Sequence, residues 1–405
     1  MARRRWPAIA IGALLSLTAA GCTSSAGPAP SKHAPSRHPT SHPAETVTLP
    51  ADTGTPHSAS TGARTVTILG SGDVLIHPQL WQQAHADAKA TGRSGYDFGP
   101  MYASIAPDVR GAALATCEME TPLAKPEGPF RGWPDFSAPP QVLSALKGVG
   151  YDTCTTASNH SLDQGYGGLK RTLDELDGAG LRHTGSARTR HEAETPFLVT
   201  AGNGVRIGQL AYSFDFNGIP VPAGKPWLAN RIDVPKILAA AKRLKSAGAD
   251  VVVLSMHWGT EYDHLATQQQ KDEARRLLAS PDIDLILGDH AHVVQPAQVV
   301  HGKWVFYCMG NQISRHADPV AASRQGVMPR VTFTEVAAHR FRVTSAQAIP
   351  TWMANSPDLR LIDLPRALAS GGLSVAARAE YARAHQQIVR YLDAYGARRA
   401  GLVIR

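Results

Sequence analysis

Beyond Arg3-Arg4-Arg5 at its start, the 405-residue chain has no run of basic residues and no interleaving of basic with aromatic side chains. That absence removes the footprint of a nucleic-acid binder, and no nucleic acid is expected as a partner. The formal charge of +8 falls to 8 − 3 = +5 when those three arginines are set aside. An excess of that size allows weak attraction to anionic cell-wall polymers. Little chain follows Ile349, too little for an added nucleotide-binding domain of the usual size, which argues against a nucleotide scavenger. Cysteine is scarce as well, at four residues.

The apolar run from Pro7 to Ala20 is too short and too one-sided to cross a bilayer, and behind three arginines it reads as an export signal. It ends in Ala19-Ala20-Gly21-Cys22, which resembles a lipobox, although Ala19 stands where Leu is usual. Two outcomes follow: a lipoprotein lipidated on Cys22 and anchored outside the cytoplasm, or a secreted chain with a chance cysteine. Residues 1–22 are thus assigned to a signal. Residues 23–63 are Ser, Thr, Pro, Ala, Gly and His with almost no large apolar side chain. Such a segment cannot bury enough surface to offset its ordering entropy and is expected to be a disordered tether. Its His33, His38, His42 and His57 lack ligand spacing.

The remaining stretch suits one large domain, assigned to residues 64–350, followed by a helical segment at 351–405. Strands are expected at Val66 to Leu69, Ala112 to Thr116, Tyr151 to Thr156, Arg206 to Tyr212, Val251 to Leu254 and Ile283 to Leu287, alternating with helices such as Pro78 to Ala90, Val234 to Lys245 and Thr267 to Leu278. Val293 to Val300, Trp304 to Met309, Arg330 to Thr334 and Phe341 to Val343 then read as consecutive strands, and Leu373 to Tyr395 as a final outer helix. A βα alternation that changes into a run of strands points to an α/β fold of two packed sheets with helices outside.

Chemistry in such folds collects at the carboxyl ends of the strands. Those ends carry Gly72-Asp73, then Glu118-Met119-Glu120, then Ser158-Asn159-His160 with Asp163, then His257-Trp258 with Glu261-Tyr262, and finally Gly288-Asp289-His290-Ala291-His292. Alternation along an extended chain lets His290 and His292 point the same way from what looks like a glycine turn. Each residue alone has a plain structural use: Asp73 as a helix cap, Glu120 on the surface, Asn159 in a turn, His257 in the core. In order, they supply the oxygen and nitrogen donors of a dinuclear metal site, which would suit Mn, Fe or Zn.

These motifs, with Glu120-Thr121-Pro122-Leu123, Gln295-Pro296 and Gly310-Asn311, resemble the CapA group of capsule or poly-γ-glutamate synthesis proteins, within the calcineurin-like metallophosphoesterase superfamily. The resemblance covers roughly Thr65 to Ile349 and implies a four-layer α/β/β/α sandwich. It implies that Asp73 and His292 bind one divalent metal, that Asn159, His257 and His290 bind another, and that Glu120 bridges them. His160 would act as general acid or transition-state stabiliser. Glu118 either adds a carboxylate to the site or faces solvent, and Trp258 is either a stacking wall for substrate or a packed core indole; Asp163, Glu261, Tyr262 and Asn311 would surround substrate or ligands, and Arg315 and His316 would face an anion. The chain departs from the superfamily's Asp-x-His, because Leu75 stands two residues after Asp73 and the nearest histidine is His77.

Three functions are consistent with this pattern. One is a membrane-tethered metallohydrolase or transferase acting on an anionic envelope polymer or phosphate-containing substrate. Another is a non-catalytic binding subunit of a polymer synthesis or export complex. The third is a general exported phosphoesterase. Cys117 and Cys154 end adjacent strands, so they form either a disulfide or two separate buried thiols, and Cys308 is expected in the core.

Overall fold

A computed structural model describes residues 62–316 and 321–405. The expected signal, the lipidation site at Cys22 and nearly all of the expected linker lie outside the described residues. Among the described residues, no helix is long and apolar enough to cross a membrane.

The chain builds two sheets in turn and then returns to the first. Strands β1 (Thr65–Val74), β2 (Leu114–Glu118), β3 (Thr153–Thr155) and β4 (Arg182–Thr184) run parallel to one another in the first sheet. Strands β5 (Leu198–Thr200), β6 (Arg206–Ser213), β7 (Val251–Trp258), β8 (Leu285–His290), β9 (Ala297–Val300) and β10 (Lys303–Phe306) form the second, in the order β5-β6-β7-β8-β10-β9. Strands β11 (Asn311–Ile313), β12 (Gln325–Ala337), β13 (Arg340–Ala354), β14 (Arg360–Asp363) and β15 (Leu402–Ile404) all rejoin the first sheet, which reads β14-β13-β12-β1-β2-β3-β4, with β11 also beside β1 and β15 beside β13.

Strand parity explains the layers. Val66 and Ile68 of β1 pack with Val251 and Val253 of β7 and Leu285 and Leu287 of β8 to form the core between the sheets. The opposite face of the first sheet, including Leu69, Ala115 and Cys154, is covered by α1 (Pro78–Ala90), α2 (Gly99–Tyr102), α3 (Ala106–Arg110), α4 (Val142–Val149) and α5 (Gly165–Gly178). After the short α6 (Arg190–Glu194), helices α7 (Val234–Ser246) and α8 (Gln268–Leu278) cover the outer face of the second sheet, against Val252, Leu254 and Ile286. This is the expected four-layer α/β/β/α arrangement. Local signals set the helix starts: Asp233 caps α7 with Pro235 in its first turn, and Thr267 and Gln270 form a capping box on α8.

The C-terminal segment differs from expectation in two ways. It contains α9 (Leu364–Ala369) and α10 (Val375–Leu392), but also contributes β14 and β15 to the first sheet. The helix α10 is not on an outer layer: Tyr381, Ile388 and Leu392 pack with Ala346, Ala348 and Trp352, the face of the first sheet that the second sheet also covers. A further difference is that only Ala297–Val300 of the expected strand from Val293 forms β9; before it the antiparallel pairing continues through Gln295 N–H to the Cys308 carbonyl and the Val294–Met309 bridge, but Pro296 has no N–H to complete the ladder.

Cys117 and Cys154 stand directly opposite in the β2/β3 register and are joined by a disulfide, with Cα atoms 4.5 Å apart. Cys308 is free and buried.

Candidate metal centre

The carboxyl ends of the parallel strands of both sheets meet at one place. Asp73 lies opposite Glu118 on β2 and opposite Asn311 on β11, and His257 of β7 lies opposite Asp289 of β8. Exposure runs from 0% for Asp73 and Glu120 to 6% for His160, with Glu118, Asn159, His257, Asp289, His290 and His292 between. The centre is therefore closed to solvent.

Glycines allow the approach. A Cβ on Gly72 would sit 1.7 Å from the Gly310 carbonyl oxygen, and one on Gly288 would sit 1.9 Å from that of Tyr307. Gly288 is thus a residue of strand β8 and not the turn that the sequence suggested. The turn is made by the histidines themselves: His290 has φ 87° and His292 φ 56°. Left-handed backbone at a non-glycine residue costs of order 1–3 kcal/mol. Simple alternation would send His290 with Ile286 to the outer face, so this departure is what turns its ring toward Phe214 and His257.

The donor atoms form two overlapping groups. Asp73, Glu120 and His292 have ligand-type atoms within 4.8 Å of one another, and so do Asp73, Glu118 and His257. The shared carboxylate is Asp73, whereas the resemblance assigned the bridge to Glu120. Asp73 Oδ2 lies 2.9 Å from His292 Nδ1, and its Oδ1 accepts the His290 N–H. Asn311 Oδ1 lies 3.0 Å from the same His292 nitrogen, leaving Nε2 toward Glu120 at 3.8 Å. His257 Nε2 lies 3.0 Å from Asn159 Oδ1, and Glu118 Oε1 lies 2.7 Å from its Nδ1. Glu118 therefore faces the centre and not solvent. His290 and Asn159 sit beside these groups without belonging to either.

The electrostatics call for a cation. Burial, reinforced by neighbouring carboxylates, holds Glu118, Glu120 and Asp289 well above the usual range. Burial also acts to raise Asp73, but hydrogen bonds from His292 and Glu118 outweigh it and hold Asp73 low. His292 is opposed by burial yet pushed up to about 10 by Glu120 and Asp73, while burial depresses His257 and takes His290 down to about 3. Both oxygens of Glu120, Oε2 of Glu118, Oδ1 of Asp289 and Nδ1 of His290 are buried without a hydrogen-bond partner. Each such orphan costs about 1–3 kcal/mol, and divalent cations taking these mixed O and N donors would remove that cost. The residues present fit a metal centre.

His160 lies at the edge, with Nδ1 2.7 Å from Asp163 Oδ2 and its ring edge-on to Phe136. Asp163 also accepts the Phe136 N–H, so it fixes the imidazole against the chain. Tyr262, 41% exposed and with φ 63°, and exposed Glu261 form the rim. The Tyr262 ring lies near His292 and His316. His77 packs against Phe136 and His316, and its Nδ1 accepts the Arg315 N–H. It belongs to neither donor group. Arg315 turns its guanidinium to the His316 carbonyl.

Of the two readings of Trp258, the core indole holds. Its parity is opposite to that of His257, so it faces α8, donates Nε1–H to the Tyr307 carbonyl and stacks on Tyr307; it is a core indole and not a substrate wall. Three participants were missed. Asp289 has the parity of Leu285 and Leu287 and therefore points inward, a signal present in the sequence. Phe214 and Asn217 follow β6, a strand end that carries no histidine or glutamate to announce a ligand. Asn217 accepts from Asn159 Nδ2 and lies 3.4 Å from His160 Nδ1.

The sequence profile described as "Bacterial capsule synthesis protein PGA_cap" matches residues 67–316. The PGA biosynthesis protein CapA of Bacillus subtilis (strain 168) is 32% identical over 176 residues, 42% of this chain and 44% of that protein. The capsule biosynthesis protein CapA of Bacillus anthracis is 30% identical over 179 residues, 44% of this chain and 43% of that protein. A probable polyglutamine synthesis accessory protein of Mycobacterium tuberculosis (strain ATCC 25618 / H37Rv) is 28% identical over 187 residues, 43% of this chain and 48% of that protein. The matches span less than half the length of these relatives. Among solved structures, the calcineurin-like phosphoesterase YfkN of Bacillus subtilis aligns with 81% of this chain and 99% of its own, at 15% identity and a TM-score of 0.42. A putative 5'-nucleotidase from Staphylococcus aureus aligns with 80% of this chain and 58% of its own, at 16% identity and a TM-score of 0.45. With its profile match covering more than half of the sequence, the chain belongs to the PGA_cap family of bacterial capsule synthesis proteins.

Proposed function

We propose that this chain is an exported, membrane-tethered metal-dependent hydrolase or transferase that acts on an anionic envelope polymer, of the capsule or poly-γ-glutamate kind, during its synthesis. The observation that carries this reading is the convergence of Asp73, Glu118, Glu120, His257 and His292 into two donor groups with unpaired, buried carboxyl oxygens. Asp73, Glu120 and His292 would hold one divalent ion, and Asp73, Glu118 and His257 another, of Mn, Fe or Zn. Ions in these positions supply Lewis acidity and a lowered pKa for water.

The chain's own side chains do the rest. His160, fixed by Asp163, holds a proton at the edge of the centre, where it would reach a leaving oxygen or nitrogen. Asn217 ties Asn159 to His160 and so couples the donor group to the proton carrier. Phe214, against His290, excludes water from that side. The disulfide between Cys117 and Cys154 supports a location outside the cytoplasm.

The closure of the centre favours a second reading, a non-catalytic subunit of a polymer synthesis or export complex in which the metal only holds the strand ends together. Elemental analysis of the purified chain decides between them when run beside hydrolysis of a generic phosphodiester and of a γ-glutamyl oligomer, on wild type and His257→Ala. About two ions per chain and turnover lost in the variant support the enzyme. Bound metal without turnover on either substrate supports the subunit, and no metal with no turnover sinks both.

A further inference from the structure

Two borders of the centre hold polar groups that the donor groups do not use. On the Asn217 side, a groove of about 1490 Å³ runs between β4, α6, the segment after β6 and α7. Its wall carries six Lys or Arg side chains against four Asp or Glu. All four carboxylates are engaged: Asp177 and Glu192 by Arg188, Glu194 by Arg190, and Asp215 by Arg231. Arg182 and Arg243 have no carboxylate partner among the described residues. Asp215, Phe216 and Gly218 line the groove, while Asn217 between them contacts Asn159 and His160. Such a groove would draw any anion and singles none out. The border at His77 is more specific.

His77 stands at the N-cap of α1, a helix of 13 residues, but its side chain makes no capping bond. It is 7% exposed. Its ring is edge-on to Phe136 at 5.5 Å, as the His160 ring is at 4.7 Å, so one phenyl ring carries both imidazoles. His77 also meets His316, which in turn meets His292 of the centre.

The surroundings place the proton on this imidazole. Nδ1 lies 3.2 Å from both the Arg315 nitrogen and the Leu75 carbonyl oxygen, and because the Arg315 N–H is aimed at it, Nδ1 must offer a lone pair. Burial, opposed by the Leu75 carbonyl and reinforced by His292, His160 and Arg315, takes His77 down to about 4, so the ring is neutral at pH 7. Its one proton is therefore on Nε2. That nitrogen has no partner among the described residues and, unlike His290 Nδ1, is not sealed from solvent. A buried imidazole is thus fixed with its only donor free.

The groups around that donor favour negative charge. The start of α1 is the positive end of a helix dipole. Arg315 has no carboxylate partner among the described residues; one of its N–H groups goes to the His316 carbonyl, and others remain to be given. All of these groups donate, so the ligand that satisfies them accepts only, as an oxyanion does.

We propose that His77, Arg315 and the start of α1 form an oxyanion site at the edge of the metal centre, in which His77 donates its Nε2–H to a phosphate or carboxylate group of the ligand. The proposal rests on the reading above that the centre handles an anionic ligand, but it requires no turnover. The test is isothermal titration calorimetry of inorganic phosphate, and separately of acetate, into the full chain, zinc-loaded and metal-stripped. The expected result is saturable binding, tighter with zinc. His77→Ala should weaken it about tenfold in both states, in line with loss of one hydrogen bond to a charged group. His77→Gln, which returns an N–H near the Nε2 position, should recover most of that loss. Arg315→Ala should weaken binding by a similar factor and flatten its salt dependence. Zinc per chain should be the same in all three variants. Phosphate alone with this ranking supports a phosphate ester as the ligand, and acetate alone a carboxylate-bearing one; both together support the site with either source. If the wild-type chain takes up no zinc, the metal-free titration decides by the same ranking. Binding of neither anion, unchanged affinity in a folded His77→Ala, equal losses in His77→Ala and His77→Gln, or loss of zinc with His77 would each overturn the assignment. Binding of the expected kind without turnover would count against the enzyme reading alone.

Discussion

At the centre, Asp73, Glu118, Glu120, His257, Asp289, His290 and His292 are all less than a tenth exposed, and four of their carboxyl oxygens have no partner. In the groove nearby, the carboxylates are all paired, while Arg182 and Arg243 have no carboxylate partner among the described residues. One region gathers surplus carboxyl groups in a dry place, and the other has surplus positive charge in a wet one. The first is suited to holding cations tightly, because burial strengthens every interaction inside it. The second is suited to holding a flexible anion loosely and in a salt-sensitive way.

The contrast can be broken first at Asp73, the carboxylate common to both donor groups. Asp73→Asn should empty the centre of metal by elemental analysis and lower any turnover by roughly 10³-fold. Retained metal in that variant would mean that the two groups are independent.

The next largest effect concerns the scaffold under the centre. The Cys117–Cys154 bond closes a loop with a sequence separation of 37, for which the chain-entropy account gives roughly 4 kcal/mol. Cys154→Ser should lower stability by about that amount in urea unfolding, with metal content per folded chain unchanged.

His160→Ala should reduce turnover by about 10²-fold without loss of metal, since His160 belongs to neither donor group. Asp163→Asn should cost less, because it acts by holding the ring.

The smallest effect is a pH dependence. In the metal-free chain, Glu118, Glu120 and Asp289 have raised pKa values and His292 sits at about 10. Between pH 7 and pH 9 the unfolded chain has this imidazole neutral while the fold keeps its proton, so the folded chain carries more protons, and the raised carboxyls act in the same direction. Its stability from these groups is complete below their unfolded values and falls as pH rises through the folded ones. His257 and His290, with lowered values, are neutral in both states above pH 7 and do not oppose the trend. The melting temperature of the metal-free chain should fall between pH 7 and pH 9, and the gain on adding Mn²⁺ or Zn²⁺ should grow. A flat profile would mean that the carboxyls are not held neutral.

How much of this was legible differs between the two regions. Asp73, Glu120, His257 and His292 stand at the ends of strands whose apolar runs announce them, so their convergence follows from parallel strand topology. Asp289 was legible through parity and was passed over. Trp258 stood open between a stacking wall and a core indole, and its parity, opposite to that of His257, decides for the core. The turned backbone at His290 and His292 was not legible, because nothing in Gly288-Asp289-His290-Ala291-His292 distinguishes a glycine turn from a glycine forced by contact with Tyr307.

By itself the sequence determined the family, the strand-and-helix alternation and the polar residues at the strand ends, because these depend on local period and on residue type. Only the tertiary structure decided that Asp73 is shared between donor groups, that α10 lies beside the second sheet, and that a cationic groove adjoins the centre. Those features arise where segments far apart in the sequence meet, as Asp73 does with His292 and Gln209 with Thr116 between the sheets, or where a free charge is defined by the partner it lacks. Pairing and its absence are properties of the folded surface, and no local pattern of residues records them.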